Sequence, residues 1–209
     1  MSRIPIEISR SLAQRRMAQV FIEKYKEELD ELVERVGEEP LPFPTPRAEE
    51  YYLTGPEGFR EDVRNAELSM FIYVPDLDNQ RNSLSGGGST YQQTVSFHLK
   101  TQLFFQMTQF EPITDLGREL TLEEVMKRRA LRYLGAMLLT GFKWARGRAS
   151  IDNIEVSDSA AYDWEQQIDS GARRRWGTAR VTWRISQKVT IPRAQVGAID
   201  DSILHPEEE

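Results

Sequence analysis

Residues 91–107 read YQQTVSFHLKTQLFFQM, and residues 178–191 read TARVTWRISQKVTI. In both stretches, apolar side chains occupy nearly every second position. Successive side chains of a β-strand point to opposite faces of its sheet, so this alternation predicts two long strands with one buried face each. At full extension the first stretch would span roughly 55 Å, so we expect it to bend or to project from the body. Residues 67–74 predict a third strand that is buried on both faces.

Two stretches show the three-four spacing of apolar residues that is typical of an amphipathic helix, residues 12–36 and residues 122–140. Ser11 with Gln14 fits a capping box before the first helix, and Gly37 fits its C-terminal cap. Acidic side chains cover the opposite face of the first helix, which we interpret as a solvated surface.

The second helix has signals at both ends. Thr121 with Glu124 fits another capping box, and Gly141 is expected to end the helix. Apolar residues nearly encircle the last turns before Gly141. We therefore expect this half to be buried against the sheet or against a neighbouring subunit.

The elements predict one α+β domain over residues 1–198, with a mostly antiparallel sheet of long strands packed by two main helices. We expect a stiff proline-rich linker at 38–48 and a flexible glycine-rich loop or hairpin tip at 76–90. The segment 151–176 predicts short strands and an irregular connection. Residues 199–209 are acidic and predict a disordered tail.

Composition narrows the function classes. The 209 residues include 27 basic and 33 acidic side chains, a net charge of -6, so overall charge gives no reason to expect a nucleic-acid-binding protein. The lack of cysteine excludes disulfides, thiolate metal sites and cysteine nucleophiles. No apolar run reaches about 18 residues and no secretion signal is present, so we expect a soluble intracellular protein without a membrane span.

Few residues suggest catalysis. His98 lies on the polar face of a predicted strand, and the other histidine, His205, lies in the acidic tail. Asp76 and Asp78 resemble the start of a calcium loop, but the glycine and closing glutamate of an EF-hand are not at their positions. We therefore predict that the protein is not an enzyme and needs no metal or cofactor.

One alternative is a carbohydrate-binding or hydrolytic domain. Paired carboxylates can perform glycoside hydrolysis, and aromatic side chains would provide a platform for a sugar. Both residue types occur together in one segment of the chain: Tyr162, Asp163, Trp164, Glu165 and Asp169.

Charged residues cluster by sign in the second half of the chain. Residues 121–149 carry seven basic and two acidic side chains, residues 150–170 carry six acidic and none basic, and residues 173–193 carry seven basic and none acidic. These blocks can pair within one chain, or a basic patch can meet the acidic block of a neighbouring copy and fix its orientation. We predict a contact between subunits that includes Arg128, Arg129, Asp163, Trp164, Arg173, Arg174 and Arg175.

Nucleic acid is an alternative partner for the last predicted strand. The polar face of that strand carries Arg180, Arg184 and Lys188. No stacking aromatic residue of the predicted strand is interleaved with them on that face, which weakens this interpretation.

The order of the elements resembles a known family. A long amphipathic helix is followed by a turn-rich region, two strands, a second helix, an acidic and aromatic stretch and a closing alternating strand. The segments that carry the resemblance are 91–99, 123–139, and Asp169, Ser170 and Gly171 leading into 178–186. Together they resemble the tail terminator (tail completion) proteins of long-tailed bacteriophages, which are small α+β proteins that form hexameric rings.

This resemblance implies a structural virion protein. A homohexameric ring would cap the finished tail tube, end its polymerisation and offer its other face to the head completion or connector proteins. DNA would pass through the lumen without being gripped, and the protein would assemble in the host cytoplasm and reside in the neck of the virion. The alternatives are another neck or tube subunit, such as a head-tail connector, or a general interaction module.

Overall fold

The protein is described by a computed structural model that covers residues 4–37, 43–56, 68–75, 81–85, 90–107, 114–115, 117–145, 151–169 and 172–192. The predicted acidic tail at 199–209, the glycines at 86–88 and the start of the predicted linker at 38–42 lie outside the described residues. The elements are α1 (Ile4–Val36), β1 (Tyr51–Tyr52), β2 (Leu68–Tyr73), β3 (Arg81–Ser85), β4 (Thr90–Met107), β5 (Thr114–Asp115), β6 (Arg118–Glu119), α2 (Leu122–Thr140), β7 (Asn153–Asp169) and β8 (Ala172–Pro192).

The fold is α+β, as predicted. The main sheet has the order β1-β2-β4-β8-β7, with β3 beside β4, while β5 and β6 form a separate two-stranded ladder. Every pairing is antiparallel except the short one between β1 and β2. The two helices pack on one face of the sheet and share a single hydrophobic core with it.

The centre of the sheet is the long ladder between β4 and β8, which confirms the two alternating strands. Pairing runs from Thr90 opposite Pro192 to Met107 opposite Arg175. The odd-numbered positions of β4 from Val95 to Phe105 are buried under the helices, and the even-numbered ones are only partly covered. Strand β8 begins six residues earlier than the predicted start at residue 178.

The prediction of short strands and an irregular connection at 151–176 is wrong. Strand β7 has 17 residues and pairs with β8 from Asn153 opposite Ser186 to Asp169 opposite Ala172. Two register shifts interrupt the pairing, between Val156 and Asp158 and between Ala161 and Trp164. Each such bulge moves the following side chains to the other face, so a long strand loses its two-residue pattern in sequence.

The segment predicted as a glycine-rich loop or hairpin tip contains a strand, Arg81–Ser85, that the sequence pattern did not predict. Strand β3 pairs with residues 92–96 of β4, on the same edge where β2 pairs with residues 100–105. Tyr73 and Arg81 are eight positions apart in sequence, whereas their partners on β4, Lys100 and Ser96, are four positions apart. Strands β2 and β3 therefore follow each other along one edge of β4.

Helix α1 begins at Ile4, so the predicted capping box at Ser11 is wrong. The Gln14 side chain instead donates hydrogen bonds to the carbonyl of Ile72, at 2.8 Å, and to the carbonyl of Leu53. Gly37 ends the helix with φ of 63°, which confirms its predicted role, because glycine adopts this conformation without steric cost.

Helix α2 has the predicted capping box but not the predicted end. Thr121 Oγ1 accepts a hydrogen bond from the Glu124 N–H at 3.3 Å, and Glu124 Oε2 accepts one from the Thr121 N–H at 2.9 Å. Gly141 has right-handed backbone angles and opens a π-helical turn, Gly141–Ala145. A Cβ atom at Gly141 would lie 2.3 Å from the Trp183 ring, so close packing explains this glycine.

The described part of the predicted linker packs against α2. Phe43 meets the ring of Tyr133 edge-on, with ring centroids 5.9 Å apart, and the Tyr133 hydroxyl donates a hydrogen bond to the Pro44 carbonyl at 3.0 Å. This part of the segment is therefore a component of the folded domain.

Candidate subunit interface

Five of the seven predicted interface residues lie in one β-hairpin, formed by β7 and β8. The backbone of Trp164 is opposite Gly177, and residues 173–175 are opposite residues 166–168. Asp163 lies at the register shift between Ala161 and Trp164. The fold therefore brings these positions together near the turn of the hairpin.

The same register places the acidic and basic blocks side by side within one chain. Glu155 of β7, for example, is directly opposite Arg184 of β8. The Glu155 carboxylate accepts a hydrogen bond from the Asn153 side chain at 2.9 Å. The register therefore makes the two blocks neighbours within the chain, but no ion pair joins the described side chains of Glu155 and Arg184.

The other two predicted residues, Arg128 and Arg129, lie on α2 one turn before Tyr133. The Tyr133 ring packs against Phe105, with centroids 5.2 Å apart, and Phe105 covers Gly177 of β8. This end of α2 therefore points toward the turn of the β7-β8 hairpin. Arg129 is half-buried, which lowers the pKa of its guanidinium, and its Nε has no hydrogen-bond partner among the described residues.

The second half of α2 presents apolar side chains on two sides. Ala136, Met137 and Thr140 are buried against the core. On the outer side, the exposed apolar residues are Leu131 (46%), Leu139 (37%) and Phe142 (46%). The prediction of deep burial is right for the inner side only. The outer side leaves apolar surface in water, as contact surfaces do before a partner covers them.

A buried carboxylate connects the two helices, and sequence reasoning did not identify it. Glu28 of α1 is 1% exposed and accepts a hydrogen bond from the Trp144 indole N–H at 2.6 Å. It also pairs with Lys143 at 2.8 Å, and the hydrogen bond to Glu28 raises the Lys143 pKa. The sequence indicates the burial of Glu28 only through its position, three residues after Tyr25 on the apolar stripe of α1.

A cleft of about 170 Å³ lies beside this cluster, between α1 and the π turn. Its lining residues are Glu28, Glu31, Leu32, Arg35, Leu139 and Lys143. Glu31 pairs with Arg35, which lowers the Glu31 pKa, and with Lys143 at 3.4 Å. These contacts fix α1 against the end of α2 and so set the relative positions of their outer faces.

The face of the sheet away from the helices carries the polar side chains of β4 and β8. Arg180, Arg184 and Lys188 are exposed on it, as the alternation predicted. Because β8 begins at Ala172, Trp176 is also a strand residue and alternates onto this same face, half-buried. The predicted strand started too late to include it.

No family model matches this chain, and no curated protein matches its sequence. Within the described ranges, no three acidic or histidine side chains are grouped to hold a metal ion. In the same part of the chain, no helix is both long and apolar enough to cross a bilayer. The residues suggested for a carbohydrate site, 162–165, lie on β7 across its second register shift.

Proposed function

We propose that this chain is a ring-forming structural subunit of a bacteriophage neck, which ends polymerisation of the tail tube and joins the tail to the head. The observation that carries the proposal is the length of the central strands. Strands β4 and β8 have 18 and 21 residues, roughly 60 and 70 Å. Among the β4 side chains whose burial the structure describes, residues 94–106, the buried ones run from Val95 to Phe105, roughly 35 Å.

The strand ladders continue past these described core positions at both ends. At one end Thr90 pairs with Pro192, and at the other Asp169 pairs with Ala172 beyond the end of β4. We infer that these continuations act as two-stranded ribbons, which are marginally stable alone and gain stability by packing against another copy. This arrangement supports assembly as the role of the strands.

The outer side of α2 supports the same proposal. Leu131 and Leu139 of α2 and Phe142 of the following π-helical turn are exposed apolar side chains, whereas the inner side of α2 is buried in the core. A head-to-tail contact through such surfaces generates a closed ring when the rotation between copies allows it. The function is then mechanical. A closed ring offers no site at which a further tube subunit can add, so polymerisation ends there. The lumen of the ring leaves a path for DNA.

The proposal is tested by imaging the purified protein with and without the tail tube protein in negative stain. We expect rings of one size from the protein alone, and tubes capped at one end in the mixture. Persistent monomers in both samples would contradict the proposal. Open-ended stacks of the protein alone would instead identify it as a tube subunit.

A further inference from the structure

The outer surface of α1 carries an acidic stripe, which we define as Glu23, Glu27, Asp30 and Glu34. Their spacing of four, three and four residues places them on one face of the helix. All four are exposed, on the side away from the buried stripe that contains Phe21. The stripe extends over roughly 16 Å at about 1.5 Å per residue.

The local contacts of the acidic stripe are weak. Glu27 pairs with Lys24 at 2.8 Å, and Asp30 pairs with Lys26, both within the exposed surface of one helix. Pairs of this type contribute typically less than about 1 kcal/mol. Glu23 accepts a hydrogen bond from the Gln19 side chain at 2.9 Å. The carboxylates of Glu27, Asp30 and Glu34 therefore remain available to another cationic partner.

The open face of the sheet carries a basic stripe, which we define as Arg180, Arg184 and Lys188 of β8. All three are exposed, and their side chains have no ion-pair partner within the described ranges. The stripe extends over roughly 26 Å at about 3.3 Å per residue. Lys100 of β4 is opposite Thr182 and adds a fourth cation between the first two. The acidic margin of this face is Glu155 and Asp158 on β7.

The two stripes lie on opposite sides of the subunit. Helix α1 covers one face of the sheet, and the basic stripe belongs to the other face. They cannot meet within one chain. A two-fold dimer cannot join both pairs of stripes in one contact either, because the stripes face in opposite directions. Only a head-to-tail arrangement uses both, and such an arrangement produces a ring or a filament.

We propose that the basic stripe on β8 receives the acidic stripe on α1 of a second copy. This inference rests on the proposed self-assembly and adds to it the surfaces that meet and their order. Nucleic acid is the less favoured partner for this face. The net charge of -6 repels DNA, whereas a second copy of the chain brings its own acidic side chains. Multiple weak pairs of this kind fix orientation more than affinity.

A charge exchange tests the assignment. One variant carries Arg180→Glu and Arg184→Glu, a second carries Glu27→Lys and Asp30→Lys, and a third carries all four changes. Sedimentation velocity at low salt measures self-association. We expect each two-site variant to weaken association about tenfold or more, and the four-site variant to recover most of it. Association of the natural protein should fall as salt is raised.

Two controls keep the test specific. Glu119→Lys changes the net charge by two, half the change in each two-site variant, at an exposed position of β6 outside both stripes, and it should leave association unchanged. Urea unfolding checks that each variant is folded. If a reversal unfolds the protein, Arg184→Gln and Asp30→Asn replace it, with a smaller loss expected.

The outcomes separate this inference from the proposed function. Rings that tolerate both two-site variants, or a four-site variant that stays as weak as either, would overturn the stripe assignment and leave self-assembly intact. A natural protein that never associates would overturn both. Titration with labelled duplex and single-stranded DNA completes the test: binding that Arg180→Glu with Arg184→Glu abolishes, while rings persist, would assign the face to nucleic acid and overturn the contact between copies.

Discussion

The outer side of α2 gives the most quantitative prediction. Leu131 and Leu139 are 46% and 37% exposed, and both are replaced by Gln, which keeps a good helix former at each position. Phe142 is kept because its ring packs edge-on against Trp183, with centroids 5.7 Å apart. More than half of each leucine side chain is already buried in the subunit, so the free energy of unfolding should fall by roughly 2–3.5 kcal/mol, at about 1.5–3 kcal/mol for a fully buried leucine.

The effect on association comes from the exposed fractions of the two side chains. Full burial of a leucine side chain stabilises by about 1.5–3 kcal/mol. Burying the two exposed fractions of Leu131 and Leu139 therefore contributes roughly 1–2.5 kcal/mol to each contact between copies. The variant should associate about five- to seventyfold more weakly.

Sedimentation velocity over a concentration series measures this change, with urea unfolding as the check on folding. Leu53→Gln is the matched control, since Leu53 is 43% exposed but lies outside α2. A double variant on α2 that associates as tightly as the natural protein and the control would refute the assignment of this surface to a contact between copies.

Three further predictions concern the core, the helix cap and the hairpin. Thr101→Val should lower the free energy of unfolding by about 1–3 kcal/mol in urea titrations, because the buried Trp183 indole N–H loses its 2.9 Å acceptor; a loss below about 0.5 kcal/mol would contradict this. The hydrogen bond from Arg118 lowers the Glu124 pKa to about 2 from 4.5, so its stabilisation is complete above pH 4.5 and disappears as pH falls toward 2. The stability difference between the natural protein and Glu124→Gln should shrink over that range, and a pH-independent difference would show that the carboxylate charge is not responsible. Charge reversal at 173–175 should reduce oligomer size or alter its salt sensitivity in native mass spectrometry, and the interface assignment is wrong if neither changes.

Sequence alone predicted the elements whose local pattern survives folding intact. Strands β4 and β8 pair without interruption over their full ladder, so every side chain keeps its face and the alternation remains visible. The start of helix α2 could be predicted from Thr121 and Glu124, because the cap consists of hydrogen bonds between these two residues, three positions apart. These elements fixed the α+β class.

The missed elements depend on contacts distant in sequence. Two bulges in β7 hide its length, and β3 is a short polar strand that exists because the free edge of β4 accepts it. Gly141 was expected to end α2, but the Trp183 ring, 42 positions later, is what requires a glycine there. Likewise, the burial of Glu28 follows from Trp144 and Lys143, which no local pattern connects to α1.

The most direct test of self-closure is the mass of the purified protein under native conditions at increasing concentration. The account predicts one dominant species at a single multiple of 24.2 kDa, unchanged once formed. A mass that remains that of one chain at every concentration, or a series that grows without limit, would contradict it.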